Sequence, residues 1–267
     1  DEADEMLDLG FREELEFILG KTPTKKRTLL FSATVSKGIA KLAERYQNSA
    51  IRISTLSEKE QHLDIEYRAL RIAPKDQENA IMNLLRYYDV ENALVFCATR
   101  LGVNHLTARL LNRGFSVVSL SGELSQKERT HALQSLRDGR AKVCVATDVA
   151  ARGIDLPNLE LVVHADLPKN KESLLHRSGR TGRAGKKGVS VLIIPRSSQK
   201  KAELLLGQAN IRAHWGTPPR AEEIVERDKE RIFCDPIFRE PNTPEDEEFI
   251  HKLLKKFAPE EIAGALL

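Results

Sequence analysis

The chain has 267 residues, 41% of them hydrophobic, which is ample for one full domain plus smaller pieces at about 100–200 residues per domain. Its net charge of +3 is too small to argue for a nucleic-acid partner by itself. No apolar run approaches the roughly 18 residues of a membrane span and no signal peptide is visible, and the cysteines Cys97, Cys144 and Cys234 form no C-x-x-C pair, which argues against a membrane-spanning chain, a zinc ribbon and a disulfide scaffold.

Apolar side chains at helical spacing (Leu7, Phe11, Leu15, Ile18, Leu19) predict one helix over 7–19 that ends at Gly20. Residues 28–31 read as a short buried strand leading into Ser32-Ala33-Thr34, followed by a helix over 37–46 and a strand over 51–53. The polar, period-free stretch that follows is expected to hold a linker, placed at 56–64. Strand and helix patterns then alternate: strands over 65–72, 93–97, 117–120, 143–146, 159–164 and 189–194, with helices over 75–87, 101–112, 126–136 and 173–180. The strands are apolar runs with little alternation, as a parallel sheet covered on both faces requires. The expectation is therefore an α/β doubly wound parallel sheet over 65–198, whose ligands sit beyond the carboxyl ends of the strands. Cys97 and Cys144 fall in such runs and read as buried thiols, which fits a reducing cytoplasm.

After Pro195 the period changes. Helices are expected over 199–206 and 221–232, a third begins with Thr243 as N-cap and Pro244 at the first helical position, and a last one begins near Pro259. This tail, 199–267, reads as all α and acidic: 221–261 holds 13 Asp and Glu against 7 Lys and Arg. By contrast, 137–201 holds 14 Lys and Arg against 6 Asp and Glu. That basic block is either a surface for a polyanion such as RNA or nucleotide, or a solvated face.

Four short stretches carry chemistry. Asp1-Glu2-Ala3-Asp4 puts three carboxylates in four residues, able to hold hydrated magnesium and orient a water, or simply to begin a helix. In Ser32-Ala33-Thr34 two hydroxyls follow a strand; they can bond a carboxylate or cap the next helix. In 146–155, Thr147 and its neighbouring N–H groups are expected at the sheet edge in a strand-to-helix connection, a natural phosphate site, with Gly153 for a sharp turn and Asp155 as acceptor for a ribose hydroxyl; an ordinary loop with an internal Asp–Arg pair is the other reading. In 176–185, Arg177, Arg180 and Arg183 recur every three residues, so on a helical turn they would share one side and suit phosphate oxygens. The alternative is a flexible basic loop.

Taken in order, Asp1-Glu2-Ala3-Asp4, Ser32-Ala33-Thr34, the Ala146-Thr147-Asp148 stretch with Arg152-Gly153 and Asp155, and His176-Arg177-x-Gly179-Arg180-Thr181-Gly182-Arg183 closely resemble the DEAD-box RNA helicases. The resemblance spans 1 to about 194 and includes 94–100 and the stretch from Ser121 to Arg129, where Ser121 and Glu123 depart from the family's commoner His and Asp. It implies two RecA-like domains with ATP and RNA bound across their cleft: 1–55 would be the end of the first, 65–198 the second, and 199–267 an α-helical extension. By resemblance Asp1 would help hold Mg2+, Glu2 would activate the attacking water, and Asp4 would couple to Ser32, Thr34 and His176. Asp155 would contact the ribose, and Arg180 and Arg183 would stabilise charge on the γ-phosphate. Thr99, Arg100, Gly122, Thr147, Arg152 and Gly153 would line the RNA backbone path.

No G-x-x-x-x-G-K-[ST] phosphate loop occurs in these residues. The family places that loop ahead of the Asp-Glu-Ala-Asp segment, so the chain reads as a fragment that alone neither binds ATP tightly nor hydrolyses it. The tail resembles the stretch after the second domain in bacterial cold-shock members of the family, where it supports dimerisation. Trp215, Phe233, Phe238 and Phe249 are its apolar anchors, either for a second copy or for packing on the α/β domain. The rival readings are a non-catalytic RNA-binding and dimerising module, and a DNA helicase; D-E-A-D with Ser-Ala-Thr argues against the latter.

Overall fold

The computed structural model describes residues 2–8, 10–23, 25–32, 35, 37–47, 49–53, 64–151, 156, 158–183, 185–235 and 243–266. Three helices come first: α1 (Ala3–Asp8), α2 (Arg12–Lys21) and α3 (Lys37–Tyr46). The single helix expected over 7–19 is thus two. Gly10 takes φ +86, Phe11 N–H donates to Met6 O at 3.0 Å and Gly10 N–H to Leu7 O at 3.1 Å, a left-handed helix end that satisfies the last carbonyls of α1. Apolar periodicity runs across this break because both helices keep an apolar stripe; Gly20 lies inside α2.

The strands expected over 28–31 and 51–53 are not formed. A strand exists only with a partner, and among the described residues none pairs with either segment. Leu29, Phe31, Ile51 and Ile53 are accordingly exposed.

The α/β unit follows as expected: β1 (Ile65–Ile72), α4 (Gln77–Tyr88), β2 (Asn92–Phe96), α5 (Arg100–Leu111), β3 (Val117–Leu120), α6 (Gln126–Arg137), β4 (Val143–Ala146), β5 (Leu159–His164), α7 (Lys171–Ser178) and β6 (Gly188–Pro195). Next come α8 (Gln199–Gln208) and β7 (His214–Gly216), then α9 (Ala221–Cys234), α10 (Pro244–Lys256) and α11 (Pro259–Leu266). The seven strands form one sheet in the order β3-β4-β2-β5-β6-β1-β7, with every neighbouring pair parallel. Side chains of a strand alternate between faces, which explains the two-sided apolar runs. Val95, Val143, Val145, Val191 and Ile193 pack with α4 and α5 on one face. Leu94, Phe96, Cys144 and Ala146 pack with α6 on the other, where Leu192 and Ile194 meet α7 and α8.

The tail is not all α. His214, Trp215 and Gly216 pair with Arg68, Ala69 and Leu70 as the edge strand β7, a segment of three residues too short for a period to register. Ala202, Leu205 and Leu206 of α8 are buried in the same cluster as Ala69 and Leu174, so the layered unit continues past 198. α9 lies on α4: Ile224 is buried, Arg86 pairs with Asp228 at 3.1 Å, and Arg231 donates to Tyr87 O at 2.5 Å and Arg86 O at 3.1 Å. A guanidinium from another helix thus satisfies carbonyls at the end of α4 that have no intrahelical donor. Thr243 caps α10 by accepting from Asp246 N–H, with Pro244 at the first position. Cys97 and Cys144 are buried with their thiols pushed up to about 12 by desolvation, and Cys234 is exposed. Among the described residues no helix is long and apolar enough to cross a membrane.

Candidate functional site

In a doubly wound sheet the crevice opens where the connections of two adjacent strands leave in opposite directions. Here β2 leads by α5 to β3 on one side, and its neighbour β5 leads by α7 to β6 on the other. The segments that leave the carboxyl ends of β2, β4 and β5 therefore converge, and they carry most of the residues singled out in the sequence.

Thr99 is the N-cap of α5, its Oγ1 accepting from Gly102 N–H at 3.0 Å. Arg100 opens that helix, exposed, with its guanidinium 2.9 Å from Glu123. Gly122 follows β3 and faces open surface. Thr147 follows β4, half-buried, with Ala151 N–H closing one turn on Thr147 O at 3.0 Å. No helix begins within 147–151, so the expected strand-to-helix connection is a turn over the described residues. Since β3, β4 and β2 are adjacent, Thr99, Arg100, Gly122 and Thr147 lie on a strip of sheet edge about 10 Å wide. Arg152, Gly153 and Asp155 lie outside the described residues.

The three arginines do not share one side. Arg177 is on α7 and only 3% exposed; Arg180 and Arg183 lie beyond the helix end, half-buried and exposed. Once the helix stops at Ser178, spacing by three no longer sets a common face. Arg180 Nε donates to His176 O at 3.4 Å and Arg183 Nε to Gly179 O at 2.7 Å, so each guanidinium is held back over its own turn. Arg177 instead forks onto Asp148, Nε to Oδ1 at 2.5 Å and Nη2 to Oδ2 at 2.7 Å, and gives Nη1 to Asp166 O at 2.8 Å. Its guanidinium stands 5.1 Å above the Phe96 ring. Asp166 in turn accepts from Ala98 N–H at 2.8 Å. Asp148 and Asp166 escaped the sequence reading: nothing in arginine spacing tells which one is buried, although a buried arginine demands a carboxylate partner.

Beneath this lies a buried polar group. His164 Nε2 is 3.0 Å from Ser190 Oγ and 3.4 Å from Ser178 Oγ, and the two serines are 2.9 Å apart. Burial first, and the Arg177 charge second, hold the His164 pKa well below its ordinary value.

From the first segment, Asp4 is buried, its N–H donating to Ser32 Oγ at 3.2 Å and its Oδ2 3.8 Å from His176 Nε2 on α7. The structure therefore brings together Asp4, Ser32 and His176; Thr34 lies outside the described residues. Glu2 is half-buried and takes φ +51, an uncommon value for a residue other than glycine. Asp1 lies outside the described residues. Among the described residues no group of three His, Cys, Asp or Glu is placed to hold a metal ion.

A parallel sheet of this order is that of a RecA-like helicase domain, and residues 76–185 match the model of the helicase conserved C-terminal domain. Residues 1–42 match that of the DEAD/DEAH box helicases. The chain belongs to the DEAD-box helicase family. It is 33% identical to the ATP-dependent RNA helicase CshA of Listeria monocytogenes, over 100% of this chain and 52% of that protein. It is 37% identical to the ATP-dependent RNA helicase DbpA of Bacillus subtilis, over 73% of this chain and 40% of that one. The chain thus spans about half, or less, of the length of these relatives. Among solved structures, Escherichia coli SrmB bound to regulator of ribonuclease activity A is 33% identical with a TM-score of 0.53, over 60% of this chain and 93% of that one. Saccharomyces cerevisiae Dbp5 bound to RNA and ADP BeF3 is 28% identical with a TM-score of 0.75, over 86% and 61%.

Proposed function

We propose that the protein of which these residues form part is an ATP-dependent RNA helicase, coupling ATP hydrolysis to local unwinding of RNA or remodelling of RNA–protein complexes. The observation that carries this is that one α/β unit holds two sets of groups, linked through Arg177. Thr99, Arg100, Gly122 and Thr147 line one strip of sheet edge, while α7 and its following turn present His176 to Asp4 and carry Arg180 and Arg183. The relatives named as RNA helicases support the same reading.

In this reading the strip takes the RNA backbone, joined by Arg152 and Gly153. Arg180 and Arg183 supply charge to the γ-phosphate, Asp155 meets the ribose, and Glu2 orients the water. ATP fits the arginine turn, whose two guanidiniums are oriented by backbone carbonyls. Bound there, it supplies the phosphoryl group whose negative charge Arg180 and Arg183 neutralise. Mg2+ would be held through water by Asp1. The division into 1–55, a 56–64 linker, a second domain and an extension belongs to the same proposal, as do a cytoplasmic setting and a role in ribosome assembly or cold adaptation. Homodimerisation through the extension is supported by Phe233 and Phe249, 83% and 63% exposed. A second reading, an RNA-binding module without catalysis, is favoured for residues 1–267 alone by the lack of a phosphate-loop sequence within them.

The test is binding of single-stranded RNA to this chain across a salt series. Neutralised phosphates release counterions, so affinity should fall steeply with salt. A flat response, or equal binding of the DNA oligomer of the same sequence, contradicts a backbone path that senses the 2′-hydroxyl.

A further inference from the structure

We infer that Arg177 is a positioning residue that keeps the RNA-facing loops after β2 and β4 in register with the arginine turn after α7. The inference rests on the functional reading above and adds the part that joins its two halves.

The guanidinium spends three of its five N–H groups on partners from two other segments. Two go to Asp148, the residue after Thr147, and one goes to Asp166 O. The Asp166 carboxylate holds Ala98 N–H, one residue before Thr99 and two before Arg100. From its own helix, Arg177 is one residue from His176 and three from Arg180. Every connection between the proposed RNA strip and α7 described above runs through this one side chain or through the Asp166 it bonds. A planar fork on a carboxylate fixes direction as well as distance, and the guanidinium carbon lies over the Phe96 ring, 5.1 Å from its centroid. Arg177 is buried while Asp148 is one-third exposed at 36%. The pair therefore sits at the boundary between the packed core and the loop it holds.

The alternative is that Arg177 merely stabilises the domain. The two are separated by comparing Arg177→Lys and Asp148→Asn with Leu174→Ala, which empties a fully buried position on the same helix. Lysine keeps the charge but cannot fork, and asparagine keeps the shape without the charge. Affinity for a fluorescent single-stranded RNA oligomer is measured on the 267-residue chain well below all melting temperatures, alongside amide exchange at Ala98 and Ala151. Arg177→Lys and Asp148→Asn should each lose roughly tenfold in affinity, the size of effect a discrete side-chain network carries. Exchange should quicken at Ala98 and Ala151 while β5 and β6 stay protected. Leu174→Ala should lower the melting temperature and leave affinity within about twofold.

Loss of affinity in all three in proportion to melting temperature would overturn the inference, as would unchanged affinity in Asp148→Asn. Should Arg177→Lys fail to fold, Asp148→Asn, at the partly exposed end of the pair, decides alone. If the unsubstituted chain binds no RNA, the functional reading fails first. Exchange at Ala98 and Ala151 then still decides whether Arg177 holds both loops, with unchanged rates overturning it.

Discussion

Gly182→Ala puts a methyl group where none fits. A Cβ there would lie 2.5 Å from Ile65 Cγ1 and 3.3 Å from Asp64 O, on a backbone with φ +66. The left-handed conformation costs an alanine about 1 kcal/mol, and forcing Ile65 aside in a packed strand costs about 2 more. The sum of about 3 kcal/mol corresponds to a fall in melting temperature of about 6–12 °C for a unit of this size. Gly185→Ala is the control, since φ is +76 there but nothing lies within 4 Å of the new Cβ, leaving only the first cost. Trp215, the one tryptophan, pairs with Ala69 on the same strand as Ile65 and reports unfolding by fluorescence. Urea titration should give unchanged slopes and a midpoint for Gly182→Ala well below that of Gly185→Ala. Equal midpoints would refute the packing of the arginine turn against Ile65 at the start of β1.

Three further outcomes are expected. With its pKa depressed in the folded state, His164 stays neutral in the fold while the unfolded chain protonates below about pH 6.5; stability contributed above that pH is lost as pH falls, at up to about 1.4 kcal/mol per unit, and urea titrations of His164→Asn should show a flatter dependence. Of the three thiols, Cys234 should react at once with a thiol reagent, and Cys97 and Cys144 only on unfolding. Arg231→Ala removes the donor to Tyr87 O and Arg86 O; it should cost about 1–2 kcal/mol and hasten proteolysis at the end of α9, and an unchanged cleavage rate would mean that Ile224 and the Arg86–Asp228 pair suffice to hold α9.

The α/β unit was legible because its signal is local and repeated. Buried parallel strands leave apolar runs, and each was found within a residue or two. What failed was what depends on neighbours. Residues 28–31 have a strand's composition but nothing described to pair with. β7 has no periodic signature, because its three residues owe their state to β1. Gly10 ended a helix that apolar spacing carried straight through. At the site, motif order sufficed to place Thr99, Arg100, Thr147 and His176 at strand and helix ends. Spacing alone misjudged Arg177, since whether an arginine faces solvent or a buried carboxylate is decided by where its helix stops and which acid the fold brings beneath it.

The central claim is that this chain carries the RNA-facing strip and arginine turn of an RNA-driven ATPase. Its most direct test is ATP turnover by residues 1–267 preceded by a segment bearing the family's phosphate loop, with and without single-stranded RNA, beside the same protein carrying Arg180→Ala. Strong stimulation by RNA that disappears with Arg180→Ala is the expected result. Turnover indifferent to RNA, or stimulation that survives the loss of Arg180, would contradict it.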